Sequence, residues 1–236
     1  MSLPSKASKK AFVQEKFTSV TPRYDLLNTM LSLYIDHYWR FLTASLLRGC
    51  DSPILDICAG TLPLSREIVR QKKRTVVALD FCFDMLEYGM KRLGQHKNGH
   101  CILPVCGDGE ALPLPDETFS GFSVAFGIRN LSNLTKGLDE MYRVLKPGGI
   151  AAILEFSRPS NPVFAPVYRF YLHRILPVLG GMISGDKEAY RYLAESIDGF
   201  YSQEEICNMM REAGFKDVSY RPLTMGIVTL YSGHRP

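Results

Sequence analysis

Five apolar runs of strand length follow one another through the middle of the chain: "PILDIC" (53–58), "RTVVALD" (74–80), "HCILPVC" (100–106), "FSGFSVAFG" (119–127) and "GIAAILEFS" (149–157). Several are continuous rather than alternating, the pattern of parallel strands covered on both faces. Helical periods at 63–72, 82–94 and 132–146 separate them. Such alternation predicts βαβ units, and with them an α/β fold: a doubly wound, mostly parallel sheet with right-handed crossovers. Within it, "LKPGG" (145–149) stops a helix before the next strand begins.

The flanks read differently. Residues 8–48 are helical in pattern, with a break around Pro22, and 161–185 are aromatic and apolar before an amphipathic stretch at 186–197. A helix (202–213) and two strands (216–222 and 225–233) close the chain. No repeat, low-complexity segment or Ser/Gly/Pro-rich linker interrupts it. Residues 1–236 are therefore expected to be one domain, with a helical N-terminal extension (1–48) and a helical insertion after the fifth strand (160–200) on the substrate side.

Composition narrows the class. Of 236 residues, 46% are hydrophobic and 22% charged, and the net charge of +4 is too mild to argue for nucleic acid. The opening "MSLPSKASKK" has no apolar core and does not read as a secretory signal. No run approaches the ~18 apolar residues a membrane span needs. Six cysteines without a C-x-x-C read as reduced thiols of a cytoplasmic protein, and the scattered histidines give no expectation of a metal. Lys6, Lys9 and Lys10 read as a solvated tail that can also touch an anionic lipid surface.

In a doubly wound sheet, ligands sit beyond the carboxyl ends of the strands. The first end is Cys58-Ala59-Gly60-Thr61, the second Asp80-Phe81, the third Cys106-Gly107-Asp108-Gly109. The fourth is Phe126-Gly127-Ile128-Arg129-Asn130 and the fifth Glu155-Phe156-Ser157. Asp80, twenty residues beyond Gly60, is placed to accept hydrogen bonds from a ribose diol, or alternatively to cap the next helix. Asp108 suits the exocyclic amine of a purine, with Gly109 allowing close approach, though a plain loop turn reads the same way. Thr61 offers a hydroxyl and an amide at a helix start, or merely a cap. The turn "AGTLPL" lacks the glycines that let a pyrophosphate press on a helix end. It suits a smaller, phosphate-free ligand such as S-adenosylmethionine better than a nicotinamide dinucleotide.

Several motifs together carry a resemblance. "FTSVTPRYDLLNTMLS" (17–32), "LDICAGT", "EALPLPDETF" (110–119), "FGIRN" (126–130), "MYRVLKPGG" (141–149), "LEFS" (154–157), "YRYLAESI" (190–197) and "AGF" (213–215) appear in order. The chain resembles the C-methyltransferases of ubiquinone and menaquinone biosynthesis, from about residue 12 to its end. "EALPLPD" and "LKPGG" recur widely among class I methyltransferases, whereas "PRYDLLN", "FGIRN" and "YRYLAESI" are specific as a set. The resemblance implies a Rossmann-like class I methyltransferase fold. It implies that Thr61, Asp80, Asp108 and Gly109 contact the donor, and Gly60, Phe81 and Ala125 are expected to complete that site. The chain departs from that pattern at Leu62-Pro63, where a Gly-Asp pair is usual, at Ala125 in place of serine, and at Arg169 in place of an acidic residue.

The implied reaction is methylation of a ring carbon in a reduced prenylated quinol, demethylmenaquinol or a ubiquinol precursor. Only an electron-rich ring carbon attacks a sulfonium methyl, so the quinol and not the quinone is the expected substrate. A free phenol has a pKa of about 10, so the site must stabilise phenolate. Arg129 suits that task, unless it forms a rim salt bridge with Asp25. Asn130 is placed to orient a ring oxygen, and Tyr24 and Asp25 to relay the proton. Glu155 is expected to be structural or a weak contributor. Phe164, Tyr168, Phe170, Tyr171 and Leu172 are expected to line a channel for the prenyl tail, or else to pack a core. Peripheral contact with the inner membrane face and a homodimer are compatible with this reading. Methylation of another small aromatic, and an inactive methyltransferase-like scaffold, remain the alternatives.

Overall fold

The computed structural model describes residues 9, 10, 12, 13, 15, 29–94, 99–184 and 186–236. Each of the five apolar runs becomes a strand: β1 (Ile54–Ile57), β2 (Val76–Asp80), β3 (Ile102–Cys106), β4 (Phe119–Ala125) and β5 (Leu145–Phe156). With β6 (Lys216–Leu223) and β7 (Val228–His234) they make one seven-stranded sheet in the order β3-β2-β1-β4-β5-β7-β6. Strands β1 to β5 pair in parallel, and β7 runs antiparallel to both β5 and β6. The antiparallel edge follows from chain length, because only a short turn at Thr224–Gly226 joins β6 to β7 and allows no crossover.

The helices are α1 (Ile35–Leu46), α2 (Pro63–Gln71), α3 (Phe83–Leu93), α4 (Leu134–Val144), α5 (Phe164–Phe170), α6 (Leu176–Ser184), α7 (Lys187–Asp198) and α8 (Gln203–Glu212). Their starts are written locally. Pro63 occupies the first position of α2, where its missing N–H costs nothing. Asn133 and Asp186 cap α4 and α7, and Ser202 forms a reciprocal capping box with Glu205 on α8. A π-helical turn, Tyr171–Ile175, joins α5 to α6. The helix before "LKPGG" does stop at Val144, but Leu145 already pairs with Phe119, so β5 begins before the glycines and bends at Gly148.

Strand β1 lies at the centre and is buried along its whole length. Leu55 and Ile57 face a core cluster with Phe122, Leu138, Met141 and Phe215, while Ile54 faces another with Leu47, Leu64, Ile68 and Leu86. Each such side chain contributes roughly 1.5–3 kcal/mol on burial. Asp56, on the Ile54 face, accepts from Ser65 Oγ of α2 at 2.5 Å and from Ser123 Oγ of β4 at 2.7 Å. Burial pushes its carboxyl up to about 6 despite those two donors. The strand order reverses between β2 and β4 on either side of β1, which puts the ligand crevice at the tip of β1.

Among the described residues no helix is long and apolar enough to cross a membrane. Tyr24, Asp25 and the break at Pro22 lie outside the described residues.

Candidate active site

The tips of β1, β2, β3, β4 and β5 are knitted to one another. Cys58, Gly60 and Leu62 after β1 all take left-handed backbone angles. The Gly60 amide donates to Asp80 Oδ2 at 2.8 Å, and the Cys82 amide donates to Asp80 Oδ1 at 2.8 Å. Burial pushes the Asp80 carboxyl up to about 6, against the pull of these N–H groups. The Gly107 amide then donates to the Asp80 carbonyl, which joins the third tip to the second. Asp80 therefore neither caps α3 with its side chain nor stands clear: it fixes the two turns and keeps lone pairs to spare.

Leu62 explains how the turn works without a second glycine. Its φ of 70° is costly for a leucine, but its side chain is fully buried, against Gly89 of α3 and away from the strand-end face. Gly89 is required there, since a Cβ would lie 2.9 Å from Leu62 Cγ. Leucine at this position thus anchors the turn and does not obstruct the crevice. Gly60 stays accessible, Thr61 is buried, and Phe81 follows Asp80 half-buried.

At the third tip Asp108 accepts from the Glu110 amide at 2.9 Å and pairs with Lys10 at 2.6 Å. Partial burial pushes its carboxyl up, but these two donors outweigh that and hold it below the ordinary range. Gly109 is buried beneath Leu131 and Ile57. Phe126, with φ 60°, turns the fourth tip, and Gly127 touches Cys58 so closely that a Cβ would sit 2.4 Å from the Cys58 Cβ. Ala125 lies at the last paired position of β4, half-buried.

Arg129 is bound at this tip. Its Nη1 donates to Glu155 Oε1 at 2.7 Å and to the Phe126 carbonyl at 2.7 Å, and its amide donates to Glu155 Oε2 at 3.2 Å. The guanidinium lies over the Phe156 ring, 5.3 Å from its centre. Among the described residues Arg129 thus pairs with Glu155 on β5, while Asp25 lies outside them. Asn130 Oδ1 accepts from the Tyr192 hydroxyl at 3.2 Å, and Lys9 Nζ donates to the carbonyls of Arg129 and Leu131. These contacts bring α7 and the described part of the N-terminal segment over the fourth tip.

Beside the tips lies a cavity of about 550 Å³, between α1, the α5–α7 insertion and β4–β5. Arg129, Phe126 and Phe156 form its floor, and Phe164, Tyr168, Tyr171 and Leu172 form one wall. Phe170 does not line it: at 61% exposure it points outward, because residues two apart on a helix, such as Tyr168 and Phe170, do not share a face. None of Gly60, Thr61, Asp80, Phe81, Asp108, Gly109 or Ala125 reaches the cavity. The cavity is thus lined from the fourth and fifth tips and the helices, and not from the first three tips.

Sequence reasoning missed a second charged pair in that cavity. Asp36 and Arg40, one turn apart on α1, are both buried, form an ion pair and line the cavity. Arg40 lies 5.6 Å over the Phe126 ring, and its Nε has no hydrogen-bond partner among the described residues. Opposite charges spaced by four read as an exposed helix pair. The one signal against that reading was Trp39 between them, which is buried and donates to Thr224. Among the described residues no cluster of His, Cys, Asp or Glu has metal-ligating geometry.

A profile of the ubiE/COQ5 methyltransferase family matches residues 5–235. The chain belongs to that family. It is 40% identical over 226 residues to the ubiquinone/menaquinone biosynthesis C-methyltransferase UbiE of Geobacter sulfurreducens, covering 94% of this chain and 88% of that one. It is 39% identical over 232 residues to the demethylmenaquinone methyltransferase of Deinococcus radiodurans, covering 98% and 95% of the two. The fold is shared with a SAM-dependent methyltransferase of Thermotoga maritima, at a TM-score of 0.66 and 19% identity, over 94% of this chain and 99% of that one. The seven-stranded sheet with its antiparallel edge is thus the fold of a class I methyltransferase.

Proposed function

We propose that this enzyme transfers a methyl group from S-adenosylmethionine to a ring carbon of a reduced prenylated quinol in respiratory quinone biosynthesis. The observation that carries the reading is the apolar cavity of about 550 Å³ with Arg129 in its floor, set directly beside the strand-end crevice. An apolar chamber with a few charged groups suits a ligand that is mostly hydrocarbon with a small polar head. Both curated relatives named above support the substrate class.

The crevice fits the donor. The Asp80 carboxylate suits a ribose diol, Asp108 an adenine amine once Lys10 releases it, and Gly60 lets the ligand approach the backbone at the turn. When bound, the donor supplies an electrophilic methyl on a sulfonium. Arg129 stabilises negative charge on the ring oxygen next to the attacked carbon, held in place by Glu155 so that little reorganisation is needed. Asn130, held by Tyr192, orients that oxygen. The aromatic walls exclude water. A carbon–carbon bond forms as the sulfur–methyl bond breaks, and the ring then loses its C–H proton and regains aromaticity, with Tyr24 and Asp25 as the relay. The Asp36–Arg40 pair gives the cavity its second charged group, placed for a second ring oxygen.

Incubating purified protein with labelled S-adenosylmethionine and short-tailed demethylmenaquinol tests this. Labelled methyl on the ring is expected from the quinol and none from the quinone held oxidised. Turnover of the quinone, or none of the quinol, removes the reading.

A further inference from the structure

The helical run from Phe164 through the π turn to Ser184 has two unlike faces. Inward, Tyr168, Leu172 and Leu176 are buried with Tyr190, Ala194 and Ile197 of α7. Outward, Val163, Val167, Phe170, Val178 and Met182 are all exposed, Met182 at 79%. Spacings of four, three, eight and four residues keep these five on one stripe, and Arg174 stands in the gap of eight. An exposed apolar stripe of this length, broken by a single cation, marks an interaction surface.

Two further features say what covers it. Against the stripe lies a second hollow, of about 370 Å³, lined by His173, Arg174, Lys187 and Arg191 along with Val178. Among the described residues no carboxylate lines it. Among the described residues Arg174, Lys187 and Arg191 have no ion-pair partner, whereas His173 is held by Asp198 at 2.8 Å. Three uncompensated cations around a hollow suit a phosphate. The stripe also runs into the mouth of the large cavity, since Val167 and Leu179 are exposed and line it.

We propose that this face docks on an anionic phospholipid bilayer. The stripe sits at the boundary of headgroups and acyl chains, the basic hollow takes a lipid phosphate, and the cavity mouth opens toward the lipid. A helix that shows apolar side chains on one face and cations beside them lies in the interface without crossing it. The last element, the open mouth, rests on the reading of the substrate as a prenylated quinol. It lets a lipid-soluble tail enter without passing through water.

Flotation of the full chain with vesicles tests the proposal, using phosphatidylcholine alone and phosphatidylcholine mixed with phosphatidylglycerol. Binding is expected to the mixed vesicles and to weaken with salt. The charge-reversed pair Arg174→Glu/Arg191→Glu is expected to lower partitioning by at least about tenfold, from roughly 1 kcal/mol per cation near the surface. Phe170→Glu/Met182→Glu is expected to abolish it. None of these four residues lines the large cavity, so turnover of a soluble short-tailed quinol should stay at the wild-type level in both. Wild-type protein that ignores both vesicles overturns the proposal, as do variants that float like wild type. A dimer that Phe170→Glu/Met182→Glu splits, with no vesicle binding, assigns the face to a second copy and also overturns it. Filling of the hollow by inorganic phosphate without flotation does the same. Quinol turnover without flotation removes the docking and leaves the proposed reaction standing, and flotation without turnover does the reverse.

Discussion

Arg129 and Glu155 meet at 2.7 Å with 6% and 0% of their side chains exposed, and the carboxylate also holds the Arg129 amide. A pair this buried is expensive to break, because the partner left behind is an uncompensated charge costing about 3–5 kcal/mol. Loss of activity in Arg129→Ala alone would therefore not separate catalysis from collapse.

The double variant separates them. Arg129→Ala/Glu155→Gln removes both charges, so its melting temperature is expected to recover much of what Arg129→Ala loses. Turnover is expected to stay about two orders of magnitude below wild type in both, the scale of one preorganised donor. Arg129→Lys keeps a charge without the planar fork and is expected to rescue only in part. Stability and turnover measured on the same preparations decide it, and a double variant with wild-type turnover ends the catalytic role.

Asp80 is expected to govern donor affinity in a pH-dependent way. Asp80→Ala loses charge-assisted hydrogen bonds, so calorimetry is expected to show S-adenosylmethionine binding weakened by about 1.5–3 kcal/mol. Because the carboxyl sits at about 6, wild-type affinity is expected to fall as pH drops through that value, and the alanine variant is expected to show no such step. Equal affinity in the two proteins would place the donor elsewhere.

Asp56 makes an opposite kind of pH contribution. Its folded-state carboxyl is raised from 3.8 to about 6, so the folded chain holds that proton more tightly than the unfolded one. The stability this provides is full below 3.8 and is lost as pH rises through 6. Asp56→Asn cannot ionise. Its stability, measured by urea unfolding, is expected to gain on wild type between pH 4 and 7 by about 3 kcal/mol.

Leu62→Gly sets backbone strain against burial. Glycine relieves a left-handed leucine, worth about 1–3 kcal/mol. Removing a fully buried leucine side chain costs more, about 2–5 kcal/mol or above. A lower melting temperature is the expected result, even though glycine is the usual residue for such a turn. A more stable variant would show that the turn does not depend on the core.

The centre of the sheet was legible because β1, β2, β4 and the second half of β5 are buried on both faces, which leaves continuous apolar runs that no amphipathic helix imitates. The strand ends gave Asp80, Asp108 and Arg129 for the same reason: polar residues stand out where an apolar run stops. What stayed hidden depends on contacts across the fold. The pairing of Glu155 with Arg129 was hidden, since nothing local says that the carboxylate of β5 crosses to the tip of β4. Asp36 and Arg40 imitate a solvent-facing helix pair, and only packing reveals that they line a cavity. Phe170 was grouped with its aromatic neighbours by adjacency in the chain, whereas helical periodicity turns it outward.

The turn after β1 has a thermodynamic consequence. With Leu62 set in the core and Gly60 tied to Asp80, the turn after β1 is already fixed in shape. Ordering of a loop would add its own buried area to the heat of association and steepen the temperature dependence of that heat. At this turn the heat-capacity change on titrating S-adenosylmethionine is expected to carry no contribution from loop ordering, since the shape there is already cast.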